Sequence, residues 1–224
     1  MKVAFISDLH ANLEAARALT PSLSEADMVV CLGDVLGYYC QVNEIMDWVR
    51  EHVTVCVLGN HDWFVLTGCP DGVPPAVKFG VDHAAATLEA DHARWLKNLP
   101  LLWGGHLADK SMLIAHGSPW NPLEDYLYDD SPKLPELGDF KFDILGFGQT
   151  HRYHLTRSAS GLVLNPGAVG QSRDRATLGH ATAAIVDTMS MEVTRSIERY
   201  DTAKVIQLAR QCGAGEWIGK HLVS

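Results

Sequence analysis

Five short motifs in the first two thirds of the chain consist almost entirely of residue types that bind metal ions. Each motif follows an apolar, strand-like run. In chain order they are Asp8-Leu9-His10, Gly33-Asp34, Gly59-Asn60-His61-Asp62, His116-Gly117 and Gly148-Gln149-Thr150-His151. Carboxylates, amides and imidazoles without any cysteine suit Mn²⁺, Fe²⁺, Fe³⁺ or Zn²⁺. Two adjacent ions of this kind favour one reaction, the hydrolysis of a phosphate ester by a metal-bound hydroxide.

The first two motifs each have a metal-binding interpretation and an ordinary one. In extended backbone, residues i and i+2 face the same way, so Asp8 and His10 can meet one ion. Alternatively, Asp8 caps a following helix and His10 lies at the surface. Asp34 can bridge two cations through its two carboxylate oxygens, or it is a turn residue of a common type.

The third motif, Gly59-Asn60-His61-Asp62, is more specific for a catalytic metal site than the first two. Asn60 offers a carbonyl oxygen as a metal ligand and leaves His61 free to act as an acid. Asp62 is expected to hold the His61 ring in one orientation. The alternative is a Gly-Asn turn with an exposed histidine. His116 and His151 would each be structural if taken alone, but five polar strand ends on the same predicted edge of a sheet favour a shared site.

The elements that must position these motifs alternate along the first 60 residues. Apolar runs at 3–6, 28–32 and 53–58 are separated by helical stretches at about 12–19 and 42–51, which is typical of parallel strands buried on both faces. The rest of the chain predicts helices over 75–98 and 200–212, strands over 101–103, 112–115, 142–147 and 180–197, a hairpin over 153–165 that turns near Ser160 and Gly161, and a loop with short helices over 117–140. These elements predict one α/β domain spanning residues 1–224.

The composition restricts the class of protein. With 224 residues and 47% hydrophobic content, the chain can bury a core without disulfides. A net charge of −9, with no cluster of Lys or Arg, gives no strong nucleic-acid signal. We expect no signal peptide and no membrane span. Five cysteines without metal-finger spacing predict that Cys31 and Cys56 are buried, and that the protein lies in a reducing cytoplasm. The oligomeric state, including a homo-oligomer, is left open.

In their order and spacing, the motifs resemble the calcineurin-like metallophosphoesterases over residues 2 to about 187. That family's pattern is DxH, GDxxGY, GNHD or GNHE, a His before Gly, and GHxH. The second motif here reads Gly33-Asp34-Val35-Leu36-Gly37-Tyr38, and residues 165–174 are similar to a segment of the small bacterial and archaeal phosphodiesterase branch. The resemblance implies a four-layer fold in which two mixed β-sheets pack face to face and are flanked by helices.

The resemblance also implies roles for the motif residues. Six of them would hold two divalent ions: Asp8, His10 and His151 the first, Asn60 and His116 the second, with Asp34 between them. A hydroxide bridging the two ions would attack phosphorus in line. His61 would lie beside the substrate phosphate and protonate the leaving oxygen or donate a hydrogen bond to it, and Asp62 would orient His61.

Two positions depart from the family pattern. Gln149 stands where the GHxH motif supplies a histidine to the second metal. The carbonyl oxygen of Gln is a weaker ligand than imidazole for borderline metals, so the second site is expected to be weaker or to favour a harder ion such as Mn²⁺. Ala11 stands where many relatives carry Gly, which is expected to matter little because Ala fits most backbone conformations.

Several residues near the motifs are candidates to bind substrate. Arg152 and Arg173 are the nearest basic residues and could bind a phosphate beside Asn60 and His61, or they are solvent-facing or paired. Tyr38 lines the pocket or packs beneath the metal loops. The aromatic residues of the 117–130 segment, Trp120, Tyr126 and Tyr128, form a wall for a nucleobase or belong to the core.

The sequence therefore predicts a metal-dependent phosphoesterase that acts on a small phosphate ester. A phosphodiester or a dinucleoside polyphosphate is favoured, because the branch it resembles includes such hydrolases. One alternative is a phosphoprotein or phosphomonoester phosphatase, although the long inserts that shape a protein-binding groove are absent. The other is a non-catalytic scaffold like the retromer subunit of this superfamily, which predicts lost ligands, whereas His61 is retained.

Overall fold

Ten strands form two five-stranded sheets in the computed structural model, which describes residues 1–107, 109–157, 161–220 and 222. The first sheet has the order β10-β9-β1-β2-β3 and consists of β1 (Lys2–Ile6), β2 (Met28–Cys31), β3 (Val55–Cys56), β9 (His180–Asp187) and β10 (Val193–Arg199). The second has the order β4-β5-β6-β8-β7 and consists of β4 (Leu102–Leu107), β5 (Lys110–Ala115), β6 (Ile144–Gly146), β7 (Tyr153–Arg157) and β8 (Leu162–Pro166).

Both sheets are mixed, as the family resemblance implied. In the first sheet β1, β2 and β3 pair in parallel, while β9 runs antiparallel to both β1 and β10. In the second sheet β5, β6 and β8 are parallel, and β4 and β7 form antiparallel edges. The five metal-binding motifs all follow parallel strands: β1, β2 and β3 in the first sheet, and β5 and β6 in the second.

Six α-helices cover the outer face of the first sheet. They are α1 (Leu13–Leu23), α2 (Val42–His52), α3 (Asn60–Thr67), α4 (Pro75–Thr87), α5 (Ala90–Lys97) and α6 (Thr202–Gln211), and all six contribute to one apolar cluster. Within β1, Ala4 and Ile6 belong to that cluster, whereas Val3 and Phe5 pack against the second sheet. This alternation explains why the strand is apolar without interruption, since each of its faces is buried.

The outer face of the second sheet is covered mainly by the segment that follows β5. Leu127 and Leu137 from this segment pack with Leu145, Phe147 and Val163 of the sheet region. The 117–140 stretch is a loop with a short 3₁₀-helix at Pro135–Asp139, as the sequence predicted. The molecule therefore has helices on one side of the paired sheets and a long, folded loop on the other.

The predicted helix over 75–98 is two helices, and a side chain from another helix binds the backbone where they meet. The amide of Asn43 in α2 donates a hydrogen bond to the carbonyl of Thr87 and accepts one from the N–H of Glu89, both at 2.9 Å. These bonds satisfy backbone groups that are left open where α4 ends and α5 begins. The strands of the predicted hairpin over 153–165 do pair, but the part of its turn at Ser160 lies outside the described residues.

The cysteines are consistent with the sequence analysis. All five cysteines are free, and Cys31 and Cys56 are buried next to each other in the β2–β3 register, which confirms their predicted burial. Within the part of the chain that the structure describes, no helix is both long enough and apolar enough to cross a bilayer.

Helix α4 contacts the loop after β2 closely at Gly80, and this contact leads to a prediction about stability. A Cβ atom at Gly80 would overlap the backbone of Tyr38, so the helix would have to move away. We expect Gly80→Ala to lower the free energy of unfolding by about 1–3 kcal/mol in denaturant titrations. Gly104→Ala is the matched control, because its Cβ would meet the Leu113 side chain at an ordinary 3.6 Å. Equal losses in the two variants would contradict the close contact.

Candidate metal centre

The five motifs converge from both sheets. Asp8, Asp34 and Asn60 follow β1, β2 and β3 of the first sheet, whereas His116 and His151 follow β5 and β6 of the second. The sequence analysis placed all five on one edge; the structure instead brings together the ends of strands from two facing sheets. The side chains of Asp8, Asp34, His116 and His151 are all buried.

Three side chains form a first group of potential ligands. The Nε2 atom of His151 lies 3.2 Å from Oδ1 of Asp8 and 3.2 Å from Nε2 of His10. Two ligand atoms that each bind one ion at about 2.1 Å lie roughly 3 Å apart, so these spacings fit a shared divalent ion. The structure thus brings together the residues that were implied for the first metal.

Asp34 lies between this group and the rest of the centre. Its Oδ1 atom accepts the backbone N–H of His61 at 2.9 Å, at the start of α3. Its Oδ2 atom lies 3.3 Å from Nε2 of His116, 3.8 Å from that of His10 and 4.0 Å from that of His61. Burial alone would raise the pKa of Asp34, but the His116 and His61 rings hold it well below its usual range. One oxygen of Asp34 is thus engaged by the backbone at the start of α3, and the other faces the imidazoles that could hold an ion.

The second group contains two unpaired amide oxygens. The Oδ1 atom of Asn60 and the Oε1 atom of Gln149 are buried and have no hydrogen-bond partner among the described residues. The Gln149 Nε2 atom donates to the carbonyl of Leu123 at 3.3 Å, which leaves its oxygen directed elsewhere. A buried polar atom without a partner is costly, and a cation bound at each oxygen would satisfy it. Both residues line the same cavity, and among the described residues the Nε2 atom of His116 is likewise buried without a partner, so the chemistry of these donors fits a divalent ion.

Backbone carbonyls fix the orientation of the three candidate histidine ligands. The Nδ1–H groups of His10, His116 and His151 donate to the carbonyls of Leu36, Leu32 and Gln171, at 3.1, 2.7 and 2.6 Å. Each ring is thereby held in the tautomer that leaves Nε2 as a free lone pair for a metal. No side-chain type in the sequence could have signalled these contacts, because the acceptors are main-chain atoms.

The loop after β1 differs from the extended backbone that was predicted. Asp8, His10 and Ala11 have φ angles of 56°, 53° and 54°, in the left-handed region. The i, i+2 argument for an extended strand was therefore wrong, and a tightly wound loop brings Asp8 and His10 together. Ala11 is also not neutral, since the left-handed conformation costs a residue with a Cβ about 1–2 kcal/mol. Asn12, rather than Asp8, caps α1.

His61 is buried in the first turn of α3, where the sequence analysis considered only a turn. Its ring stacks on Tyr38 at 4.9 Å between centroids, and its Nδ1 atom has no hydrogen-bond partner in the described ranges. Gly37, with a φ of 99°, leaves room for this ring, because a Cβ there would overlap His61 Nδ1. Burial lowers the pKa of His61, which makes its protonated form a stronger acid.

Asp62 was predicted to orient the His61 ring, but its carboxylate binds backbone groups instead. Its carboxylate accepts the N–H groups of Val35, Leu36 and Gly59 at 3.2, 2.9 and 3.1 Å. Burial raises the pKa of Asp62 to about 7, and these three N–H groups act in the opposite direction. Asp62 thus joins the loop after β2 to the loop after β3, and positions Asp34 and His61 only through the backbone.

The charges of the centre favour cations. Burial raises the pKa of Asp8 to about 7, although the His116 ring lowers it. Burial alone would lower the pKa of His116, but the carboxylates of Asp34 and Asp8 raise it to about 10. Burial lowers the pKa of His10 and His151 well below the usual range, so both rings are neutral. His10 and His151 are therefore in the neutral state in which imidazole binds a metal, whereas an ion at His116 would displace the proton of its ring.

A cavity of about 410 Å³ opens onto these residues, and of the two candidate arginines only Arg173 lines it. Arg173 lines it, mostly buried, and donates a hydrogen bond to the Tyr38 hydroxyl at 3.0 Å. Arg152 does not line it; its guanidinium lies 5.6 Å from the centroid of the Tyr128 ring, in a neighbouring cavity. The structure therefore brings only Arg173 to the metal centre. Tyr38 lines the cavity as well as packing on the metal loops.

One wall of the cavity was missed by the sequence analysis. It is apolar and comes from α3, α4 and the loop between them: Phe64, Val73, Pro74 and Val77. Apolar residues carry no signal that separates a cavity wall from a core. Tyr126 also lines the cavity. Trp120, Tyr126 and Tyr128 are 44%, 45% and 38% exposed, so the suggestion that they belong to the core was wrong.

The chain is similar to known proteins over almost all of its length. Residues 1–191 match the calcineurin-like phosphoesterase superfamily domain, and the chain therefore belongs to that superfamily. An uncharacterized protein of Methanocaldococcus jannaschii is 27% identical over 244 residues, covering 98% of this chain and 96% of its own. The crystal structure of a metallophosphoesterase from Sphaerobacter thermophilus superposes with a TM-score of 0.85 at 28% identity, over 99% of this chain and 98% of that one. A hypothetical protein from Pyrococcus horikoshii OT3 has the same fold, with a TM-score of 0.85 at 18% identity over 99% of this chain and 97% of its own.

The contacts of Asp62 predict a structural role. Asp62→Ala would leave three buried N–H groups without their acceptor, and we expect the free energy of unfolding to fall by about 2–5 kcal/mol. Asp82→Ala is the control, because Asp82 only forms an exposed pair with Lys78; its expected loss is below about 1 kcal/mol. Urea titrations of both variants measure the difference. Similar losses would mean that Asp62 does not hold the loops together.

Proposed function

We propose that this protein is a metal-dependent phosphoesterase that hydrolyses a small phosphodiester or a dinucleoside polyphosphate at a centre of two divalent ions. The observation that carries the proposal is the position of Asp34 Oδ2, within 4.0 Å of three histidine nitrogens that belong to strand ends of both sheets. The ions would be Mn, Fe or Zn, which share this set of oxygen and imidazole ligands.

The chain's own residues have distinct tasks in this proposal. Asp8, His10 and His151 hold one ion, and Asn60, His116 and Gln149 hold the other, with Asp34 shared. When bound, the ions lower the pKa of a water molecule and neutralise charge on the phosphate. Arg173 adds a fixed positive charge at the cavity wall and binds a phosphate oxygen. His61 donates a proton or a hydrogen bond to the leaving oxygen.

The size and position of the cavity favour a small substrate over a phosphoprotein. About 410 Å³, bounded on one side by the apolar wall, is within the range of sites for small molecules. The scaffold alternative predicts lost ligands, whereas all the implied ligand positions hold side chains that can bind metal. The five free thiols suit the reducing cytoplasm that the sequence predicted, and this location is part of the proposal.

Removing His61 tests the catalytic part of the proposal. With Mn²⁺ present and bis(p-nitrophenyl) phosphate as substrate, His61→Ala should lower kcat by about 10²–10⁴-fold, because general acid assistance is lost. The metal content per chain should stay unchanged. His106→Ala is the matched control, since this histidine is exposed on β4. Equal rates for wild type and His61→Ala would overturn the role of His61, and loss of an ion would instead make His61 a ligand.

Gln149 gives a separate prediction about the second ion. We expect Gln149→His to strengthen retention of that ion, because imidazole is a better ligand than an amide oxygen for borderline metals. After extensive dialysis, elemental analysis should find more metal per chain in Gln149→His than in wild type, and less in Gln149→Ala. Identical metal contents in the three proteins would show that residue 149 does not contact an ion.

A further inference from the structure

A second cavity lies beside the metal centre and shares a wall with it. It has a volume of about 440 Å³ and is lined by Tyr128, Asp130, Thr150, Arg152 and neighbouring residues. Two chain segments contribute to both cavities. Tyr126 faces the metal-centre cavity and Tyr128 the second one, and the proposed ligand His151 is flanked in sequence by Thr150 and Arg152. Residues two apart in extended chain lie about 7 Å from each other, so the two cavities lie within the length of one nucleotide.

Planar groups with exposed faces form the shared wall. The rings of Tyr126 and Tyr128 are nearly parallel, at an angle of 15° and a centroid distance of 6.0 Å. The guanidinium of Arg152 lies 5.6 Å from the centroid of the Tyr128 ring. Although aromatic rings are usually buried, these two tyrosines are 45% and 38% exposed. Exposed planar groups next to a cavity are suited to stacking against a flat, aromatic ligand.

The polar groups of the second cavity narrow the class of ligand. Arg152 provides hydrogen-bond donors and Asp130 provides acceptors. His154 is paired with Asp129 at 2.6 Å, so this carboxylate is already engaged. A further phosphate group would meet two carboxylates, and a purely apolar group would use neither the donors of Arg152 nor the acceptors of Asp130, both of which are exposed. A heteroaromatic base, which carries donors and acceptors on its edge, satisfies both and stacks on the tyrosine.

We propose that this second cavity is a nucleobase subsite, and that the substrates of this protein are therefore nucleotide esters. The base stacks on Tyr128 and Arg152, and its edge bonds to Arg152 and Asp130, while the phosphate lies at the metal centre. That the bound nucleotide is a substrate rests on the proposed phosphoesterase activity. Binding of the base can occur without hydrolysis.

The kinetic test compares two esters with the same leaving group. One is the p-nitrophenyl ester of thymidine 5′-monophosphate, and the other is ethyl p-nitrophenyl phosphate, which has no base. Tyr128→Ala should raise KM for the nucleotide ester about tenfold or more, as expected for one lost stacking contact, and leave KM for the ethyl ester unchanged. Tyr128→Phe keeps the ring and should retain the wild-type KM.

Two further variants separate the subsite from general damage to the protein. Arg152→Ala, on a different segment, should reproduce the selective rise in KM. Trp120→Ala is the matched control, because Trp120 is an equally exposed aromatic residue of the same loop that packs on Phe140 and lines neither of the two cavities. Equal effects of Tyr128→Ala on both esters, or no effect on either, would overturn the subsite.

A binding measurement keeps this inference distinct from the proposed activity. Calorimetric titration of thymidine 5′-monophosphate should give weaker binding to Tyr128→Ala than to wild type and unchanged binding to Trp120→Ala. If wild type hydrolyses neither ester, the proposed activity fails, and this titration alone decides the subsite. Undetectable binding to wild type, or the same affinity in Tyr128→Ala, would overturn it.

Discussion

The carboxylate of Asp34 is the group on which the two sheets and the first turn of α3 depend together. One oxygen accepts the N–H of His61, and the other lies among histidine rings that belong to both sheets. A buried negative charge is stable only when it is paired, so each element around it must supply a donor or a positive charge. The histidine rings and the start of α3 satisfy that requirement, and in the proposal the metal ions complete it.

Close backbone contacts make this arrangement possible. A Cβ at Gly59 would overlap the Asp34 carboxylate, and one at Gly37 would overlap the His61 ring. Asp62 joins the loop after β2 to the loop after β3, because two of its backbone partners lie on the first loop and one lies on the second. The glycines of the motifs therefore allow the two loops to lie close together, and the hydrogen bonds of Asp62 hold the loops in that position. Side-chain chemistry at the centre depends on a backbone that is unusually tightly packed.

Particular residues show where sequence reasoning succeeded and where it did not. Three features were predictable: the strand ends, the convergence of Asp8, His10 and His151, and the mixed two-sheet fold. Burial patterns and family motifs are recognisable from short stretches of sequence. The role of Asp62 was not, since its partners are main-chain N–H groups on another loop. The break between α4 and α5 was missed for the same reason, because Asn43 acts across 44 and 46 residues.

The sequence by itself determined the ligand types, their order and their places at the ends of buried strands, because periodicity and residue chemistry are local properties. Only the tertiary structure decided which of two similar arginines faces the centre. Arg173 lies in the metal-centre cavity, whereas Arg152, one residue after His151, points into the second cavity with Tyr128. Side-chain direction depends on the left-handed turn at His151, with a φ of 56°, and on the strands packed around it. Such a direction is set by three-dimensional packing, not by distance along the chain.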